Sequence, residues 1–175
     1  MGDAFTSAEE LAAAAARADF RDAMRRTAAG VTVVTTEGAH GRGGLTVSTL
    51  CSLSLEPCSV IACVNLQSAT LAAIRGNGIF AASILADTQA AVAQAFAGGR
   101  PAEERFGVGA WHPLVTGSPV LEGALASFDC RLVDTHDFGS HCIIIGEVLA
   151  TMHSDAQPLV HSQRRYHRLA EVLAE

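Results

Sequence analysis

From Val31 to His153 the chain is a succession of short β-branched and apolar runs, and the turn residues between most of them leave no room for crossover helices. Strands that follow one another this closely pair antiparallel. Val31-Thr32-Val33-Val34-Thr35-Thr36 alternates, a glycine-rich turn runs from Gly38 to Gly44, and a strand from Leu45 to Leu55 completes a predicted hairpin. Pro57 ends that strand, and Cys58 to Asn65 is a near-continuous apolar run of the kind buried on both faces. Further strands are predicted at Ile79 to Leu85, Ala124 to Asp134 and His141 to His153, the last two joined around Asp137-Phe138-Gly139.

Helical patterns sit at the start, the middle and the end. Ser7-Ala8-Glu9-Glu10 reads as a capping box, and the alanine-rich segment behind it is predicted to continue through a second cap at Asp19 to Ala28, with Gly30 as the stop. Ser68 to Arg75 reads as helix and Gly76-Asn77-Gly78 as a turn; Asp87 is the predicted N-cap of a further helix, broken by Gly98-Gly99-Arg100-Pro101. The segment from there to Pro119, which contains Trp111, reads as a long ordered loop with a short helix around Ala102 to Phe106, and Arg164 to Glu175 reads as a terminal helix. Six or so antiparallel strands with such helices predict a mainly β (α+β) fold, a small closed or split β-barrel with flanking helices. Residues 1–18 are expected to form a helical extension and residues 19–175 the barrel domain.

Composition removes several function classes. A chain of 175 residues with 49% apolar and 17% charged residues fits one compact domain. Its net charge of −6 would repel a nucleic-acid backbone. All 12 basic residues are arginine, so neither a P-loop lysine nor a lysine Schiff base to pyridoxal phosphate can form. The early apolar run Leu11 to Ala16 is short and follows Glu9-Glu10, which argues against a signal peptide or membrane span. Cys51, Cys58, Cys63, Cys130 and Cys142 are odd in number and form no C-x-x-C pair, which reads as reduced, cytoplasmic and mostly core. The histidines carry no metal-ligand spacing and no serine lies in a G-x-S-x-G elbow, so neither a metal site nor a serine hydrolase is expected. Gly76-Asn77-Gly78-Ile79-Phe80-Ala81 has the letters of a dinucleotide fingerprint but leads into a strand instead of opening a helix.

Three clusters remain: Gly43 to Thr49; Ala62-Cys63-Val64-Asn65 with Ser68 and Thr70; and Gly139-Ser140-His141 before the last long strand. Glycines let backbone approach a flat ligand, and a helix N-terminus with hydroxyls binds an anion without needing lysine. Each residue also has a plain alternative: Ser68 as a helix cap, Thr46 as a strand residue, His141 as a polar turn residue.

Read in order, the chain resembles the short-chain flavin reductases that supply reduced flavin to two-component monooxygenases, such as the reductase of 4-hydroxyphenylacetate 3-monooxygenase. The likeness runs through Phe20-Arg21-Asp22-Ala23-Met24, Gly30 to Thr36, Thr46-Val47-Ser48 and Ser54-Leu55-Glu56-Pro57, then Glu104-Arg105-Phe106, Gly117-Ser118-Pro119 and Arg165-Tyr166-His167. It implies a homodimeric split barrel that binds FMN or FAD and reduces it with NADH or NADPH. By position, Gly44, Leu45, Thr46, Val47, Ser48 and Thr49 would line the isoalloxazine and ribityl chain, Ala62, Cys63, Val64 and Asn65 would add backbone contacts, and Ser68 and Thr70 would take the phosphate. His141 corresponds to the family's catalytic, nicotinamide-side histidine in a Gly-Asp-His motif, with Gly139, Ser140 and Tyr166 beside it; Ser140 replaces the aspartate. Hydride transfer between stacked rings needs positioning and water exclusion rather than a protein nucleophile. Two other readings are a pyridoxamine-phosphate-oxidase-like FMN oxidase, which would consume no NADH, and a non-catalytic flavin-binding protein.

Overall fold

The computed structural model describes residues 8–171. Its elements in chain order are α1 (Ala8–Met24), β1 (Ala29–Gly30), β2 (Thr32–Thr36), β3 (Gly43–Val47), β4 (Cys51–Leu55), β5 (Cys58–Asn65), α2 (Ala69–Asn77), β6 (Ile79–Ile84), α3 (Ala90–Phe96), α4 (Ala102–Phe106), β7 (Trp111–Pro113), β8 (Pro119–Leu121), β9 (Ala126–Phe138), β10 (His141–His153), β11 (Val160–Ser162) and β12 (Arg165–His167). The fold is mainly β. Seven strands form one sheet in the order β3-β2-β6-β9-β10-β5-β4, with every neighbouring pair antiparallel.

That order makes β3 and β4 the two edges of the sheet, although only Ser48, Thr49 and Leu50 separate them in sequence. Across a flat seven-stranded sheet the edges would stand about 29 Å apart, whereas a three-residue link reaches about 15 Å. The sheet therefore curls until its edges approach. The bend explains why the single strand expected from Leu45 to Leu55 is two: β3 pairs with β2, and β4 pairs with β5.

Two apolar clusters support the curled sheet. Val34, Val47, Val60, Ala62, Val64, Phe80, Cys130, Cys142 and Ile144 pack with Leu71 and Ile74 of α2. Val31, Val33 and Leu85 pack instead with Val92 and Phe96 of α3, Phe106 of α4 and Leu121 of β8. The doubly buried strand is thus β2, whose five residues are all buried, while β5 buries Val60, Ala62 and Val64 and leaves Ile61 and Cys63 half-buried.

Other boundaries also differ from expectation. The first helix is continuous through Asp19 and stops at Met24, short of Ala28; Ala29 and Gly30 pair with β11. Ser7 of the expected capping box lies outside the described residues. Gly76 and Asn77 close α2, with Gly78 left-handed at φ 69° as its C-cap. Asp87 caps nothing: its amide donates to the Gln157 carbonyl, its carboxylate pairs with Arg168, and α3 begins only at Ala90. The expected long loop holds α4 and the hairpin of β7 and β8. The hairpin of β9 and β10 turns on Gly139-Ser140, with β9 reaching Phe138. Over its described part the expected terminal helix is replaced by β12, which folds back on β11 through Gln163-Arg164. Pairing of β11 with β1 rewards the extended form there, which a local helix pattern does not reveal.

Candidate active site

The edge-to-edge link, the end of β5 and the start of β10 enclose a cleft of about 260 Å³ lined by Leu45, Thr46, Val47, Ser48, Thr49, Cys63, Asn65 and His141. Residues from three separate stretches of sequence meet there. Along β3 the side chains alternate: Leu45 and Val47 face the first cluster, whereas Gly44 and Thr46 face α3. The Thr46 hydroxyl donates to the Ala93 carbonyl at 2.8 Å. At Gly44 a Cβ would stand 2.5 Å from Phe96 Cε1, and the Gly44 carbonyl accepts from Arg105 at 2.8 Å. Gly44 and Thr46 therefore anchor the strand on its outer side, and Ser48 and Thr49 are the exposed hydroxyl residues.

Thr49 ties the link to β5. Its Oγ1 accepts from the Cys63 amide at 3.0 Å and donates to the Cys63 carbonyl at 3.3 Å. The Cys63 backbone, expected to face a ligand, is thus bonded within the protein. Ala62 and Val64 turn into the core, and Asn65 Oδ1 accepts from the Gln67 amide at 2.8 Å, forming the turn that leads to α2.

Ser68 holds the N-cap position of α2 in extended backbone, with no side-chain capping bond. Its carbonyl accepts from Leu71 and Ala72, so the amides of Ala69 and Thr70 remain the open donors of the first turn. Thr70 is buried, and a Cβ on Gly43 would lie 3.1 Å from its Oγ1, so a side chain there would crowd Thr70 where β3 passes the helix. An unoccupied hydroxyl and free amides at a positive helix end make a fit for a phosphate carried by a neutral donor set.

His141 opens β10 opposite Asn65 on β5 and Phe138 on β9. Ser140 Oγ lies 2.8 Å from His141 Nδ1, and the Ser140 carbonyl accepts from the Leu66 amide at 3.0 Å. The histidine turn is thereby fixed to the approach to α2. From the other end of that helix Arg75 pairs with Asp137 and reaches Cys142 Sγ at 3.3 Å. Hydrogen bonds from Cys142 and Arg75 hold the Asp137 carboxyl below its ordinary value.

Tyr166 does not line the cleft. It sits half-buried on β12 against His161, with ring centroids 5.7 Å apart. His161 instead lines a second cavity of about 520 Å³ with Phe20, Arg21, Met24, Arg25, Thr27 and Ala29, which shares Ser48 and Thr49 with the first. No local pattern marks this extension, because α1 and β11 lie far apart in the chain and the place of Phe20 to Met24 beside the cleft is set by tertiary packing. Among the described residues no group of three or more His, Cys, Asp or Glu is placed to hold a metal ion, and no helix is long and apolar enough to cross a membrane.

A family model described as "Flavin reductase like domain" matches residues 24–170. The FMN reductase (NADH) RutF of Ancylobacter novellus is 39% identical over 169 residues, covering 96% of this chain and 93% of that protein. BorF, the flavin reductase component of a bacterial two-component tryptophan halogenase, superposes with a TM-score of 0.81 at 31% identity, over 89% of this chain and 99% of its own. The NADH:FAD oxidoreductase SgcE6 of Streptomyces globisporus, solved with NAD and FAD fragments, gives 0.82 at 28% identity over 88% and 93%.

Proposed function

This chain belongs to the flavin reductase like family, and we propose that it is an NADH-dependent flavin reductase whose site is the cleft between Ser48 and His141. The observation that carries the reading is the meeting of Leu45 to Thr49, Cys63, Asn65 and His141 around one cleft, next to a helix N-terminus with open donors. FMN is the flavin of the RutF relatives, and FAD belongs to the SgcE6 complex; both are accepted substrates in this proposal. When bound, the flavin would accept hydride from NADH and leave as reduced flavin for a monooxygenase component, a reading supported by the structural likeness to the styrene monooxygenase flavin reductase of Pseudomonas putida.

The chain's own groups bind and orient. Backbone of Val47 to Thr49 would flank the ring, Ser68 with the amides of Ala69 and Thr70 would hold the phosphate, and His141, oriented by Ser140, would serve the nicotinamide side. The apolar face of Leu45 and Val47 helps exclude water. Ala62 and Val64 shape the wall from behind, and Gly139 gives the left-handed turn, φ 57°, that presents Ser140 and His141.

The curled sheet is read as a split barrel, supported by the short edge-to-edge link and the Thr49 bridge to Cys63. A homodimer is supported by α1, none of whose described side chains is fully buried, and by Leu53 and Leu55 of edge strand β4, 52% and 83% exposed. Of the expected helical extension over 1–18 and domain over 19–175, residues 1–7 and 172–175 lie outside the described residues, and α1 runs across the boundary at 18. Five free cysteines suit the cytoplasm. The test is NADH consumption by purified protein with catalytic FMN or FAD in air and a no-flavin control. Turnover that requires flavin is expected; bound flavin without NADH consumption would overturn the assignment.

A further inference from the structure

Beyond the second cavity the surface opens into a recess of about 390 Å³ lined by Asp22, Arg25, Arg26, Gln163 and Arg164. It shares Arg25 with the second cavity, which shares Ser48 and Thr49 with the site cleft, so three neighbouring recesses lie in series between His141 and Arg164. The far end is built from two segments brought together by tertiary structure: the turn after α1, and the hairpin of β11 and β12, whose Gln163 amide donates to the Arg25 carbonyl at 2.7 Å.

Three features mark this end as more than a charged surface. Its one carboxylate, Asp22, is already paired with Arg25, while the guanidiniums of Arg26 and Arg164 make no ion pair or hydrogen bond among the described residues. Gln163 and Arg164 are both left-handed, φ 50° and 64°, in a two-residue hairpin turn that Asn-Gly fills with less strain. The helix dipole accounts for basic residues at the end of α1, but not for Arg164, which arrives from another element. In a chain of net charge −6 this local cluster of unpaired cations attracts an anionic counterpart.

We propose that the Arg25, Arg26 and Arg164 recess binds the adenosine diphosphate end of a dinucleotide whose redox-active ring lies at the Ser48–His141 cleft. Guanidiniums grip phosphate oxygens in bidentate fashion, which lysine-free chemistry here makes the natural device. FAD and the pyridine nucleotide both carry this group, and FMN does not. The inference rests on the proposed function for the ring site, but the recess is tested separately.

The probe is ADP, titrated by calorimetry into the whole protein and into an Arg26→Gln, Arg164→Gln double variant, with Arg165→Gln as the neighbouring control. The wild type and the control are expected to bind ADP, more weakly as salt rises, and the double variant at least tenfold less tightly, with FMN affinity within twofold throughout. A parallel loss of FAD affinity identifies the flavin as the source of the group; a raised KM for NADH with FAD affinity intact identifies the nicotinamide dinucleotide. Equal ADP affinity in the double variant, or no ADP binding by the wild type, overturns the inference even if flavin-dependent NADH oxidation persists. ADP binding that needs these arginines, in a protein without NADH turnover, keeps the recess and removes the reductase reading instead.

Discussion

Ser140 Oγ stands 2.8 Å from Nδ1 of His141, the residue after it, so the histidine at the mouth of the cleft has its ring fixed by a neutral hydroxyl. Ser140→Ala should lower kcat/KM for NADH about three- to tenfold, the scale of one hydrogen bond, with FMN affinity unchanged. If the hydroxyl acts through the ring, Ser140→Ala adds nothing further in a His141→Ala background. Steady-state kinetics of the double-mutant cycle decide this.

Ser68 separates a ligand role from a structural one. A capping serine replaced by alanine costs about 1 kcal/mol, but Ser68 makes no side-chain capping bond. Ser68→Ala should therefore leave the denaturation midpoint in place while weakening FMN several-fold and riboflavin, which lacks the phosphate, not at all. Fluorescence titration with both flavins is the measurement.

Thr49→Val removes both bonds to the Cys63 backbone and leaves a donor and an acceptor of β5 without that partner. A loss of about 1–3 kcal/mol in unfolding free energy is expected, together with weaker flavin binding, because the link and β5 form opposite walls of the cleft. Urea unfolding with and without FMN reads both effects.

Gly44→Ala tests the outer side of the same strand. A Cβ there meets Phe96 Cε1 at 2.5 Å, with Phe106 Cζ at 3.3 Å. Overpacking of about 1–3 kcal/mol is expected, visible as a lowered thermal midpoint, and FMN affinity should change far less than in Thr49→Val.

The thiols should divide by burial. Burial, with Asp129 beside it, pushes Cys130 from an ordinary 9.0 up to about 12. A native-state thiol reagent near pH 8 should label exposed Cys51 and Cys58 first and spare buried Cys130 and Cys142 until unfolding, as peptide mass spectrometry can show. The unfolded chain releases the Cys130 proton before the folded one does, so the folded state binds more protons between these pKa values. Its contribution is complete below pH 9.0 and is lost as pH rises toward about 12. Cys130→Ala should flatten that alkaline decline in the urea midpoint.

Much of this protein was legible without coordinates. Alternation marked β2, an apolar run marked β5, breaker residues set off α4, and glycine with hydroxyl content marked the stretch at 43–49, of which Leu45 to Thr49 line the cleft. Local chemistry sufficed there, because strand period, turn residues and donor type are properties of neighbouring residues. It failed where partners distant in sequence decided the outcome. Asp87 found Arg168 instead of a helix, residues 165–167 found β11, and the strand expected from Leu45 to Leu55 broke so that its halves could pair at opposite edges. Only the curl of the sheet brings those edges together, sets Thr49 on Cys63, and lays α1 beside the hairpin of β11 and β12 to form the arginine recess. The sequence by itself determined most strands of the large sheet, the candidate site residues and, through the lack of lysine, which lysine chemistries cannot occur. Their meeting around adjoining recesses belongs to the tertiary structure, since long-range pairing and burial outweigh local preference wherever the two compete.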